Sequence, residues 1–193
     1  MGVVANPSLV IVRAEDSRHG QFIGRYLRKL GLRNHAMRIL TAPAGEGSAE
    51  QWVRNNFVMD VQSYRIRKAE TKLVVMIDAD THTVEQRLRQ LDESLHQAGI
   101  SLRDDDVKNI ARLVPRRNIE TWILCISGRV VGEDENYRYE RHDWTELIRN
   151  GVDTLDAWTR RNATVPESCV HSLRLALPQL RKLDPKKTQA DRG

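Results

Sequence analysis

Four short apolar runs punctuate the chain: LVIVRA (9–14), AMRILTA (36–42), LVVMI (73–77) and IARLV (110–114). Each has the length and branched-residue content of a buried strand. Between them the apolar positions recur at helical spacing. The first such stretch places Phe22, Ile23, Tyr26, Leu27 and Leu30 on one face, starts near Asp16 or Ser17, and stops at Gly31, where glycine accepts a left-handed terminating conformation. The second follows PAGEGSAEQW, with Ser48 and Gln51 at the spacing of a capping box. A third carries Val84, Leu88, Leu91 and Leu95 on one stripe and ends at Gly99, and NIETWILCISG reads as a fourth, ended by Gly128. Strands alternating with helices predict βαβ units and a mainly parallel four-stranded sheet with helices on both faces.

The pattern changes at residue 129. RVVGEDENYRYERHDW is polar and aromatic, and the remainder reads as helices only: DWTELIRNG, with Asp143 and Glu146 as a capping box, then TLDAWTRR, then PESCVHSLRLALPQLRKL. Pro178 is expected to kink or divide the last helix, because proline has no N–H for the ladder. The resulting division is an α/β domain over 1–128, a helical extension packed on it over 129–183, and a disordered tail over 184–193.

Composition narrows the chemistry only a little. In 193 residues, 31 Lys and Arg face 26 Asp and Glu, a net charge of +5 that favours an anionic partner. Two widely separated cysteines, Cys125 and Cys169, suggest neither a disulfide framework nor a zinc site. No apolar run reaches the roughly 20 residues of a membrane span, and the N-terminus shows no basic region leading into an apolar stretch, so a cytoplasmic protein without a membrane partner is expected.

Ligands of open parallel sheets bind at the carboxyl ends of the strands, which makes the residues just past each strand informative. Glu15 and Asp16 follow the first, Asp78 and Asp80 the third, and Arg116, Arg117 and then Glu120 the fourth. A single such acid serves equally well as a helix cap. The pair Asp78 and Asp80 is expected to share one side of the strand, where two like charges call for a cation between them or a proton on one. A hard divalent ion suits such an edge. For Arg116 and Glu120, four residues apart, a simple helix ion pair stands as the alternative to a site role. His19, His82 and His142 lack metal-ligand spacing, PAGEGS lacks the Gly-Lys-Ser/Thr ending of a phosphate loop, and YRYERHDW reads as a linker or hairpin rather than a stacking surface.

The combination VIVRAE, followed by a later strand ending in VVMIDAD, resembles the Toprim domain of topoisomerases, primases, OLD-type nucleases and ribonuclease maturases, over about residues 8–120. LVPRRNIETWIL is similar to the PR-x-x-E-x-W segment of small prokaryotic Toprim-like proteins of the RloB-like group. The resemblance implies a Rossmann-like, Toprim-type sheet and a metal-dependent nuclease cleaving phosphodiesters of DNA or RNA with Mg²⁺ or Mn²⁺, in phage defence or mobile-element conflict. Glu15 would be the proton-handling or additional metal-binding glutamate, Asp78 and Asp80 metal ligands, and Glu120 a further catalytic carboxylate. Arg116 and Arg117, with Arg13 or Arg18, would bind phosphate. Nucleic acid is the implied partner, with a protein partner from a defence system and self-association both left open. Two positions depart from the pattern: Asp16 stands where glycine often follows the glutamate, and His82 replaces the third acid of the longer Asp-x-Asp-x-Asp form. The alternative is a Toprim-like subunit that binds nucleic acid or a partner protein without cleaving anything.

Overall fold

The computed structural model describes residues 9–45, 47–67 and 70–184. The strands are β1 (Leu9–Ala14), β2 (Met37–Thr41), β3 (Thr71–Met76) and β4 (Ile110–Leu113), and the helices are α1 (Ser17–Lys29), α2 (Ala49–Ile66), α3 (Val84–Gln97), α4 (Asp104–Asn109), α5 (Ile119–Ile126), α6 (Trp144–Trp158) and α7 (His171–Arg181). All strand pairings are parallel and the order is β2-β1-β3-β4, so the fold is α/β with helices around a parallel sheet.

Strand alternation sorts the interior into two layers. Val10, Val12 and Ala14 of β1, Val74 and Met76 of β3, and Ala111 and Leu113 of β4 face a core built with α1, α5, α6 and α7. Ile11, Leu73, Val75, Ile77 and Ile110 face the opposite core, with Val53, Phe57 and Val61 of α2 and Leu91 and Leu95 of α3. Both faces are covered, which explains why β3 is buried at every position and reads as an unbroken apolar run.

This arrangement creates a switch point. The chain leaves β1 through α1 on one face to reach β2, yet leaves β3 through α3 on the other face to reach β4. The crevice between the carboxyl ends of β1 and β3 is where such sheets accommodate ligands.

The C-terminal helices differ from expectation in two respects. DWTELIRNG and TLDAWTRR form one helix, α6, that runs through Gly151. There the glycine is a packing residue: a Cβ at this position would lie 2.5 Å from Cγ1 of Ile126 in α5. Helix α7 continues across Pro178. Arg174, whose carbonyl loses the ladder bond, lies with Pro178 on the exposed side, while Leu173, Ala176, Leu177 and Leu180 are buried on either side of the proline. At the start of the expected tail Asp184 is buried, and residues 185–193 lie outside the described residues.

Candidate metal centre

The residues that follow β1, β3 and β4 each include an acid at the carboxyl end of the sheet. Glu15 follows directly on β1, and its Oε2 accepts from the backbone N–H of Asp78 at 2.9 Å, which stitches the two strand ends together. Asp78 lies two residues beyond β3 and is 2% exposed. Glu120, in the first turn of α5, is 1% exposed, and its charge acts on Asp78.

Helix α1 adds a fourth group. Asp16 caps it, with one oxygen accepting from the N–H groups of Arg18 at 2.8 Å and His19 at 3.0 Å. The same oxygen lies 2.8 Å from Nδ1 of His19, while Nε2 of that ring lies 2.9 Å from Oδ1 of Asp78. His19 is fully buried. Ligand atoms of Glu15, His19 and Asp78 all lie within 4.8 Å of one another, a cluster that could hold a metal ion.

Burial, with the Asp78 charge behind it, raises the Glu15 carboxyl above its ordinary range. Burial also raises Asp78, against the opposing pull of His19. For His19 burial works against the charge, but the carboxylates of Asp78 and Asp16 prevail and lift the imidazole well above its usual value. Asp16 moves the other way: burial is outweighed by its bonds to His19, and its carboxyl falls below the normal range.

One buried atom in this group has no protein partner. Glu120 gives Oε1 to the Arg18 guanidinium, but its Oε2 makes no hydrogen bond among the described residues. A buried, unpartnered carboxylate oxygen carries a large desolvation penalty unless a cation or donor arrives. Hard divalent ions take oxygen donors of this kind; Glu120 acts on Asp78 through its charge and lies outside the group of Glu15, His19 and Asp78 whose ligand atoms fall within 4.8 Å of one another.

Arginines surround the carboxylates. Arg18 pairs with Glu120 and stacks over Trp144, 4.8 Å from the ring centroid. Arg138 reaches in from the segment between α5 and α6, with Nη2 3.4 Å from Oδ2 of Asp78, and is influenced by Asp78, Glu120, Asp16 and Glu15 together. That segment is folded on itself: Arg129 forks onto Glu140 and lies 5.2 Å over Tyr137, whose hydroxyl donates to Glu135 and accepts from Gly132 N–H. From beneath, the buried Arg87 of α3 donates to the carbonyls of Asp78 at 3.0 Å and Ala79 at 3.3 Å, fixing the turn that holds Asp78.

The remaining predicted residues are placed differently. Asp80 does not share a side with Asp78. The strand geometry ends before it, its φ is +54°, and its side chain is 62% exposed and paired with Arg117 at 2.7 Å. It lies outside the cluster. Arg116 donates to the carbonyls of Asp80 and His82 and pairs with Asp134 at 2.7 Å, so its expected partner Glu120 belongs to Arg18 instead. Arg13 is removed from the site altogether: strand alternation turns it to the α2 face, where it forks onto Asp60 at 2.8 and 2.9 Å and lies 4.8 Å over Trp52.

His19, Arg138 and Arg87 escaped the sequence reading. His19 had a usable signal: it is the third residue after the cap of a helix that starts at a strand end. Arg138 had none, being brought in by an irregular segment.

Comparison with protein-family models, curated proteins and solved structures returns no match. Among the described residues no helix is long and apolar enough to cross a membrane.

Proposed function

We propose that this chain is a Toprim-like, divalent-metal-dependent nuclease that hydrolyses phosphodiesters of DNA or RNA. The observation that carries the reading is the cluster of Glu15, His19 and Asp78 at the switch point of a parallel sheet, with a buried, unpartnered Glu120 oxygen whose carboxylate acts on Asp78. Such a donor set suits Mg²⁺ or Mn²⁺, held by Glu15, Asp78 and Glu120. A bound ion of this kind supplies positive charge to a phosphodiester and acidifies water at neutral pH.

The protein's own groups account for the rest. Glu15, half-buried at the end of β1, is also placed to take a proton from the reacting water. His19, braced by Asp16, holds Asp78 in one orientation and acts as a positioning residue. Arg138 is 46% exposed at its side chain and is free to turn from Asp78 to a phosphate oxygen. Arg117, on the rim with Asp80, is a further phosphate contact.

Incubation with end-labelled single- and double-stranded DNA and RNA in Mg²⁺ or Mn²⁺ tests the reading. Cleavage is expected to require metal and to fall at least 100-fold in Asp78→Asn and Glu15→Gln. Cutting by those variants at the parent rate, or no cutting by the parent in either metal, overturns it. Metal-dependent binding without cutting would favour the non-catalytic subunit.

A further inference from the structure

A cleft of about 590 Å³ lies beside the metal centre, between α1, the edge strand β2 and the start of α6. Its floor is formed where α1 comes down on β2: a Cβ on Gly20 would lie 3.1 Å from Ile39, and one on Gly24 would lie 2.8 Å from it, so the two glycines set how closely the helix approaches. Arg25 and Arg28 of α1 and Arg149 of α6 line the walls, and no carboxylate does. Arg25 and Arg28 make no ion pair among the described residues, and Arg28 reaches only the Asn34 side-chain oxygen. Arg149 has a single exposed contact, 3.3 Å to Glu146, the kind of surface pair that contributes little. One part of the cleft adjoins the carboxyl ends of β1 and β2, and the carboxylates of the metal centre do not line it. Ser17 and Thr41 line it, Ser17 following the Asp16 cap and Thr41 pairing in register with Ala14, the residue before Glu15.

We propose that this cleft binds the sugar–phosphate backbone of a single-stranded nucleic acid and leads it to the metal centre. Three cations, of which only Arg149 has a carboxylate contact and that an exposed one, match a chain carrying one charge per residue. Ile39 and Ile148 offer apolar surface to sugar and base, and Ser17, Gln21, Thr41 and Thr145 offer hydroxyl and amide contacts to phosphate oxygens. The volume is that of a small-ligand cleft, on the order of 300–1,000 Å³, and suits a short stretch of one strand. The proposal names the substrate path of the nuclease reading and rests on it for the direction of the strand.

The experiment measures fluorescence anisotropy of a labelled single-stranded oligonucleotide with the full chain in EDTA, over a series of salt concentrations. Binding is expected to weaken with salt. Arg25→Gln and Arg149→Gln should each lower affinity several-fold and flatten the log–log salt slope by about 0.7, the share of one phosphate contact on a single strand. Arg160→Gln, outside the cleft, should change neither. Equal slopes in parent and cleft variants, or unchanged affinity in both cleft variants, overturn the proposal. Because no metal is present, the two readings fail separately. Flattened slopes without cleavage in Mg²⁺ leave the cleft standing and remove the nuclease, whereas cleavage with unchanged slopes does the reverse.

Discussion

The imidazole of His19 bridges two carboxylates, with Nδ1 2.8 Å from Asp16 and Nε2 2.9 Å from Asp78, and the ring is completely buried. It ties the first turn of α1 to the end of β3. Asp78 is thereby fixed before any ligand arrives, and the acidic site is pre-organised at the expense of stability.

That expense predicts a pH dependence. Glu15 has its carboxyl raised above 4.5 by burial and by Asp78, so over the window starting near pH 4.5 the native protein holds more protons than the unfolded chain. Stability from this group is therefore lost as pH rises through the window. In EDTA, Glu15→Gln should melt above the parent at pH 7, and the gap should close as pH falls below about 4. A gap that does not vary with pH would show that Glu15 ionises in the native state as it does in the unfolded chain.

A second prediction concerns the support under the site. Arg87 is 4% exposed, pairs with Glu50, bonds to Gln90 at 2.6 Å, and holds the carbonyls of Asp78 and Ala79. Arg87→Ala removes the donor to the Asp78 carbonyl, while Glu50 keeps Arg54 and the Ala79 carbonyl keeps the His82 N–H, and should destabilise by about 1–3 kcal/mol in urea titration. A change under 1 kcal/mol would mean the turn is held by other bonds.

Much of the fold was legible because burial on both sheet faces leaves a simple mark. The four strands stand out as apolar runs, and α1 and α3 show their stripes and terminating glycines, Gly31 and Gly99, both with positive φ. Less visible was anything that depends on close approach or on turn geometry. Gly151 looked like a stop because sequence does not show that Ile126 lies against it. Asp80 looked like a partner of Asp78 because alternation was carried past the strand's last residue, Met76, into a turn with positive φ. Arg13 was assigned to the strand-end chemistry from its distance along the chain, although the same alternation sends it to α2. Glu15, Asp78 and Glu120 could be named from their positions after strands. His19 and Arg138 depend on how α1 and the 129–143 segment fold back.

The packing of α6 gives a third prediction. Gly151→Ala places a methyl against Cγ1 of Ile126 and within 3.3 Å of its backbone carbon, so only part of the strain can be relieved by side-chain rotation. Overpacking of this kind costs about 1–3 kcal/mol, read as a lower denaturation midpoint. In an Ile126→Ala background, which lacks both Cγ1 and Cδ1, Gly151→Ala should cost less than it does in the parent. No loss in the single variant would show that α6 shifts freely on α5.

Glu15, Asp78 and Glu120, and not Asp80, are the proposed ligands of the divalent cation. Mn²⁺ binding followed by electron paramagnetic resonance of the free ion tests this assignment most directly, with circular dichroism to establish that each variant is folded. One site is expected in the parent, with affinity lowered at least tenfold in Asp78→Asn and in Glu120→Gln and parent-like in Asp80→Asn. No binding by the parent, or a loss in Asp80→Asn with Asp78→Asn and Glu120→Gln unchanged, would contradict it.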